Sequence, residues 1–227
     1  MTARSGGFEP GAAVADPEGF IRANTAIASP PLVPELKLHL ATEVVPLWQM
    51  TEAELEATGL PPPYWAFAWA GGQALARYIL DNPDIVAGKQ VLDFGSGSGL
   101  VAIAAAKAGA AGVLAAEIDP FAAAAIRLNA TSNGVAVEPI IRDLIESSGT
   151  WDVVLAADVC YERPIAERIE SWLNTLARQG KTVLVGDPGR LYLPKRGLTC
   201  LETYSVQTTR ELEDTDLRRT SVWRVEG

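Results

Sequence analysis

The stretch Val91-Leu92-Asp93-Phe94-Gly95-Ser96-Gly97-Ser98-Gly99 constrains this chain more than any other: an apolar strand runs into alternate glycines, and an alanine-rich helix follows from Leu100. Glycine lets a backbone turn sharply and leaves room for a ligand against the main chain. The free N–H groups at the start of the following helix add a positive end. Strand, bare turn and helix in that order make a nucleotide-type cofactor site at the edge of a parallel sheet. The spacing is not that of a dinucleotide fold, because G-x-G-x-x-G would place a glycine where Leu100 stands. The pattern here is D-x-G-x-G-x-G, with Asp93 two residues before the first glycine. The bland alternative is a glycine turn that only joins strand to helix.

The rest of the chain agrees with such a sheet. Apolar runs predict strands over Gln90–Phe94, Gly112–Glu117, Val135–Ile140, Trp151–Ala156 and Lys181–Gly186. Helices are predicted over Ser98–Ala108, Pro120–Ser132 and Pro164–Arg178, the second opened by an Asp119 N-cap with Pro120 at its first position. Alternation of this kind gives a mostly parallel sheet with helices on both faces. Cys200–Gln207 and Leu217–Val225 are β-rich with only the polar Thr209–Asp216 between them, which fits a closing antiparallel pair.

Upstream, Asp16-Pro17-Glu18 reads as a helix start leading into Phe20 and Ile21, and Ser29-Pro30-Pro31 breaks it. Leu36, Leu38 and Leu40 alternate with polar neighbours, a strand signal. Thr51 to Glu54 fits a capping box, and Pro61-Pro62-Pro63 a stiff connector. The organisation expected is a flexible tail over 1–15, an N-terminal extension over 16–63 that shapes a substrate cleft, and the main α/β domain over 64–227.

With 227 residues, 48% of them apolar, the chain suits one α/β domain with a substantial core. A formal charge of −9 argues against general nucleic-acid binding, which needs a basic face to release counterions. Cys160 and Cys200 are far apart, and His39 is the single histidine. That composition points to a reduced cytoplasmic protein, with neither a metal centre nor a His-dependent triad. No apolar run reaches membrane length and no signal peptide is legible.

The D-x-G-x-G-x-G element resembles motif I of the class I S-adenosylmethionine (SAM) methyltransferases. The segment Pro62 to Tyr78, with Trp65, Trp69, Gly71 and Gly72, resembles the pre-motif region of the family-16 protein lysine methyltransferases. Asp158-Val159-Cys160-Tyr161 resembles that family's D-x-x-Y motif after the fourth strand. Together with Val44-Val45-Pro46-Leu47-Trp48, these residues are most similar to the branch acting on the β-subunit of electron transfer flavoprotein (ETF). Ribosomal-protein methyltransferases of the PrmA type are more distant relatives that share the glycine loop. The resemblance covers about residues 17–227. It implies a Rossmann-like seven-stranded sheet with the last strand antiparallel, and transfer of methyl groups from SAM to lysine. It also implies a monomer with the ETF β-subunit as protein substrate; the alternative acceptor is another protein lysine, ribosomal or of a translation factor, or a small-molecule amine.

The resemblance assigns SAM to Asp93, Gly95, Ser96, Gly97 and Gly99, with Asp93 helping to hold its amino-acid end. Glu117, ending the next strand, is expected on the ribose hydroxyls, since a carboxylate accepts two donors at once. Asp143 stands where the adenine amino group is read, although a plain turn residue fits there equally well. Trp69 and Gly71 allow close approach to the cofactor. Asp158 and Tyr161 orient the acceptor amine and steady the charge that grows on nitrogen; the competing role for Asp158 is a cap on the helix near Pro164. Trp65 and Glu162 line the substrate cleft. The aromatic run Tyr64 to Trp69 either lines the mouth of the site or wedges the N-terminal segment onto the sheet. Two readings of other classes compete, an NAD-type oxidoreductase and a non-catalytic interaction protein.

Overall fold

The computed structural model describes residues 16–41, 62–208 and 215–227. The expected tail over 1–15, the Val44–Trp48 segment, the Thr51 capping box, Pro61 and most of the Thr209–Asp216 connector lie outside the described residues.

Seven strands form one sheet: β3 (Gln90–Phe94), β4 (Gly112–Glu117), β5 (Glu138–Ile141), β6 (Val153–Ala157), β7 (Thr182–Asp187), β8 (Leu198–Gln207) and β9 (Leu217–Val225). Their order is β5-β4-β3-β6-β7-β9-β8. Pairing is parallel from β5 to β7, in register Leu92↔Leu114 and Leu92↔Val154, while β9 runs antiparallel to both neighbours. The strands are apolar on both sides because helices cover both faces. Val91, Val153, Leu155 and Leu184 pack against α2 (Ala70–Asp81) and α3 (Leu100–Lys107). Their neighbours Leu92, Val154, Val183 and Val185 face α5 (Arg163–Arg178), whose Ile169, Trp172, Leu173 and Leu176 form its buried stripe.

Helix α4 (Pro120–Asn133) starts where Asp119 accepts from the Phe121 N–H at 2.8 Å, as the sequence predicts. It ends at Gly134 in a left-handed conformation, and the Val135 N–H bonds back to the Ala130 carbonyl. That closing turn consumes the residues expected to begin the next strand, so β5 starts at Glu138.

The N-terminal segment contains α1 (Pro17–Asn24) and a two-stranded antiparallel sheet of β1 (Ala26–Ala28) and β2 (Leu38–Leu40). Strand β1 gives no sequence signal, since three residues are too few for a period. All three β2 residues are buried, His39 included, because α4 closes over them. Asn129 is wholly buried; its Oδ1 accepts from the His39 N–H at 2.7 Å and its Nδ2 donates to the Ser98 carbonyl at 2.8 Å. Asn133, one turn on, exchanges two hydrogen bonds with the Lys37 main chain. One helix thus ties the N-terminal hairpin to the glycine loop.

Candidate active site

A cleft of about 600 Å³ opens at the carboxyl ends of β3, β4 and β6, lined by Gly95 and Gly97 on its floor and by Glu117, Asp143, Asp158 and Tyr161 on its walls. Gly95, Gly97 and Gly99 have φ of 65°, 53° and 82°, the left-handed region that favours glycine. Asp93 is 1% exposed and turned inward. Its Oδ2 accepts from Ser96 Oγ at 2.5 Å and from the Ala102 N–H at 3.0 Å, supplying the helix cap that Gly99, with no side chain, leaves out of α3. Burial above all pushes its pKa up to about 7, against those two hydrogen bonds.

Glu117 ends β4 with both oxygens engaged, Oε1 by the Gly97 N–H at 2.6 Å and Oε2 by the Ile118 N–H at 3.1 Å. Burial raises its pKa, opposed by those N–H donors. Asp143 bonds the Ile145 N–H at 2.9 Å and stays half exposed on the cleft wall. A nucleoside carrying an amino-acid tail fits this arrangement: the floor is bare main chain, and a carboxylate ends the neighbouring strand on the cleft wall.

The other end of the cleft is built around Asp158, which has a positive φ of 57°. Asp158 does not cap α5: that helix starts from Glu162 with no side-chain cap. Instead Asp158 Oδ2 accepts from the Gly72 N–H at 2.9 Å, at the start of α2. Its Oδ1 accepts from Arg190 Nη2 at 2.7 Å and Nε at 3.2 Å. Gly71 has a different use from the one expected. A Cβ there would lie 2.3 Å from the Gly186 carbonyl and 2.6 Å from Asp158 Oδ2, so its close approach is to β7 and Asp158.

Three rings stand at the mouth: Tyr64 lies 5.9 Å from Tyr161 and 6.2 Å from Trp69, and the Arg190 guanidinium lies 5.8 Å over Trp69. Burial, then Tyr64, Glu162 and Glu117, raise the Tyr161 pKa, so its phenol keeps its proton. Trp65 does both jobs foreseen for the aromatic run. It reaches the cleft, yet at 3% exposure it stacks on Phe121 and anchors the N-terminal segment. Glu162 is exposed and, like Asp93, Ser96, Gly71 and Gly99, does not line the cleft. Tyr64, within the aromatic run foreseen at the mouth, lines it too, and Phe94 and Arg190 line it unanticipated. Arg190 was findable in Asp187-Pro188-Gly189-Arg190, a turn directly after a predicted strand, where parallel sheets carry ligand contacts. Cys160 is buried, with a thiol pKa pushed up to about 12 mainly by burial, which makes it inert as a nucleophile. Among the described residues, no group of three His, Cys, Asp or Glu is placed to hold a metal ion, and no helix is long and apolar enough to cross a membrane.

Comparison with known proteins places this geometry. The model of the ribosomal protein L11 methyltransferase (PrmA) family matches residues 73–186. The chain is 41% identical over 217 residues to an electron transfer flavoprotein beta subunit lysine methyltransferase from Danio rerio, covering 92% of this chain and 83% of that protein. The Homo sapiens protein of the same description is 39% identical over 221 residues, covering 92% and 82%. Among solved structures, magnesium protoporphyrin IX methyltransferase from Synechocystis PCC 6803 with bound SAH is similar in fold, with a TM-score of 0.50 at 16% identity over 78% of this chain and 88% of that one.

Proposed function

The chain belongs to the family of electron transfer flavoprotein β-subunit lysine methyltransferases, within the wider L11-type methyltransferase fold, and from that premise we propose that it methylates lysines of the ETF β-subunit. It is a SAM-dependent protein lysine methyltransferase. The observation that carries the reading is a single cleft with Glu117 and the glycine floor at one end and Asp158 with Tyr161 at the other.

When bound, SAM supplies an activated methyl group on a sulfonium sulfur. The chain's own residues divide the remaining tasks. Gly95 and Gly97 give the cofactor a bare main-chain floor, and Glu117 accepts from the ribose hydroxyls. Asp143 receives the adenine amino group. Asp93 and Ser96 hold the loop in shape from behind, a positioning role supported by the inward turn of Asp93. Tyr161, still a phenol, accepts from or donates to the acceptor nitrogen at the mouth, and Trp69 and Tyr64 flank its approach. Asp158 fixes the start of α2 and the Arg190 side chain that faces the acceptor. In-line displacement needs this fixed geometry more than it needs any covalent helper.

Residues 16–63 act as the N-terminal extension that shapes the substrate cleft, and 64–227 as the methyltransferase domain. Pro62 on the cleft wall supports that division. The unpaired thiols Cys160 and Cys200 suit the reducing cytoplasm, and we assign the protein there as a monomer. The L11-family match over 73–186 favours one second reading, in which the acceptor is a ribosomal protein lysine.

The test incubates the purified protein with methyl-labelled SAM and either ETF or ribosomes from the same source, followed by intact-mass and peptide analysis. Label on β-subunit lysines is the expected result. Label confined to a ribosomal protein would replace the substrate, and no protein label with SAM still bound would point to a small amine.

A further inference from the structure

A lysine reaching this cleft meets a problem of protonation. Its side chain has an ordinary pKa of about 10.4 and arrives as an ammonium, yet only the neutral amine has a lone pair to offer. An unpaired carboxylate beside the acceptor would worsen matters, since an opposite charge stabilises the ammonium and raises its pKa. Asp158 is that carboxylate by position, but both of its oxygens are compensated. Oδ2 faces the Gly72 N–H at the positive start of α2, and Oδ1 receives two N–H groups of Arg190. The pair is largely withdrawn from water, with side-chain exposures of 9% for Asp158 and 19% for Arg190.

The placement of Arg190 is built into the fold. Asp187, 1% exposed at the end of β7, accepts from the Gly189 and Arg190 N–H groups, both at 2.7 Å, and so folds the turn that carries the guanidinium back over Trp69. The groups around it are Asp187 on its own turn, the Tyr64 and Tyr161 phenols across the mouth, and the Cys160 thiol behind Asp158. Exposed Glu162 stands at the start of α5, and Glu117, Asp119, Arg142 and Asp143 lie toward the nucleoside end. The Tyr161 phenol and the Cys160 thiol keep their protons at working pH, and the Asp187 carboxylate is buried against the N–H groups of its own turn, so Arg190 and Asp158 set the charge that faces the acceptor. A guanidinium does not give up its proton in this range.

We propose that Arg190 is a positioning residue for the acceptor's protonation state: by neutralising Asp158 and turning a fixed positive charge to the mouth, it admits the lysine as a neutral amine. The ammonium's proton leaves to water through the open mouth, and the nitrogen keeps its lone pair for the methyl group. This rests on the lysine methyltransferase reading above.

The test is the pH dependence of kcat at saturating ETF from pH 6.5 to 10 with labelled SAM, which reports groups in the bound complex, for the parent protein, Arg190→Gln and Arg190→Lys. SAH binding is measured by calorimetry in each. For Arg190→Gln the expected result is an ascending limb displaced about one pH unit upward. That displacement corresponds to about tenfold lower kcat at pH 7, with parent and variant within about twofold at pH 10. The KM for protein substrate falls together with kcat at pH 7, because the unmasked Asp158 holds the ammonium unproductively. Arg190→Lys keeps the charge and leaves the limb in place, and SAH affinity stays within about threefold in both. Superimposable limbs for parent and Arg190→Gln, or an equal displacement in Arg190→Lys, would overturn the assignment. Loss of SAH binding in Arg190→Gln would overturn it too, by making Arg190 a cofactor ligand. If the parent binds SAM but labels no lysine at any pH, the methyltransferase reading itself fails and takes the assignment to Arg190 with it.

Discussion

Asp93 carries a proton in the folded chain at pH values where an unfolded aspartate has lost it, because its pKa rises from an ordinary 3.8 to about 7 on burial. Between those values the folded state binds more protons than the unfolded one, so this residue's contribution to stability declines as pH climbs from about 4 to about 7. Asp93→Asn should flatten that part of the curve, raising stability relative to the parent at pH 8 more than at pH 5, as read by urea denaturation at the two values. Asp158 makes a second prediction at this scale. Asp158→Ala removes the partner of a mostly buried guanidinium and of the Gly72 N–H, a loss of about 2–4 kcal/mol. It also puts alanine at a φ of 57°, which costs about 1 kcal/mol more than glycine does there. Asp158→Gly should therefore be the more stable of two inactive variants in thermal melts. The site's residue types were legible in the sequence, since Glu117, Asp158 and Tyr161 stand at strand ends. Their bonding was not: nothing local connects Asp158 to Arg190, 32 positions on, or to Gly72, 86 positions back.

Among the elements, those with strong local chemistry were predicted to within a residue or two, and β3, β4 and β9 at their observed ends. Helix α4 shows both the reach and the limit of such reading. Its Asp119-Pro120 start is a local signal, whereas nothing in the local sequence marks Asn129 and Asn133, which bind main chain 90 and 96 residues away. Asn129→Leu leaves the His39 N–H and the Ser98 carbonyl buried without that partner. The expected loss is about 3 kcal/mol of stability together with weaker SAH binding, checked by denaturation and calorimetry on one preparation. At the junction of α2 with β7, Gly71→Ala forces a methyl group into the Gly186 carbonyl, where overpacking typically costs about 1–3 kcal/mol. Because that overlap also pushes on Asp158, its kcat should fall while the KM for SAM stays near the parent value.

For the molecule as a whole, the alternation of strands and helices with a final antiparallel strand was readable from the sequence, because apolar runs, proline starts and glycine stops repeat along the chain. The hairpin of β1 and β2 was only half readable, since the leucine alternation marks its second strand while the three residues of its first are too few for a period. A ligand that binds only the folded chain should stabilise it by about 2.7 kcal/mol at one hundred times its Kd, which for a domain of this size raises Tm by roughly 5–10 °C. SAH should produce that shift in a thermal melt and NADH should not.

The strand order β7-β9-β8 bears on how the protein is made. The ten-residue β8 leaves the ribosome before β9, the strand it pairs with among the described residues, so β7 keeps an open edge and β8 dangles until Leu217–Val225 slide between them. A premature stop at Leu217 would thus cost the sheet two strands, exposing the apolar flank of β7 to pairing with other nascent chains, while the cofactor loop, finished more than a hundred residues earlier, would carry an intact sequence in a chain unable to close its sheet.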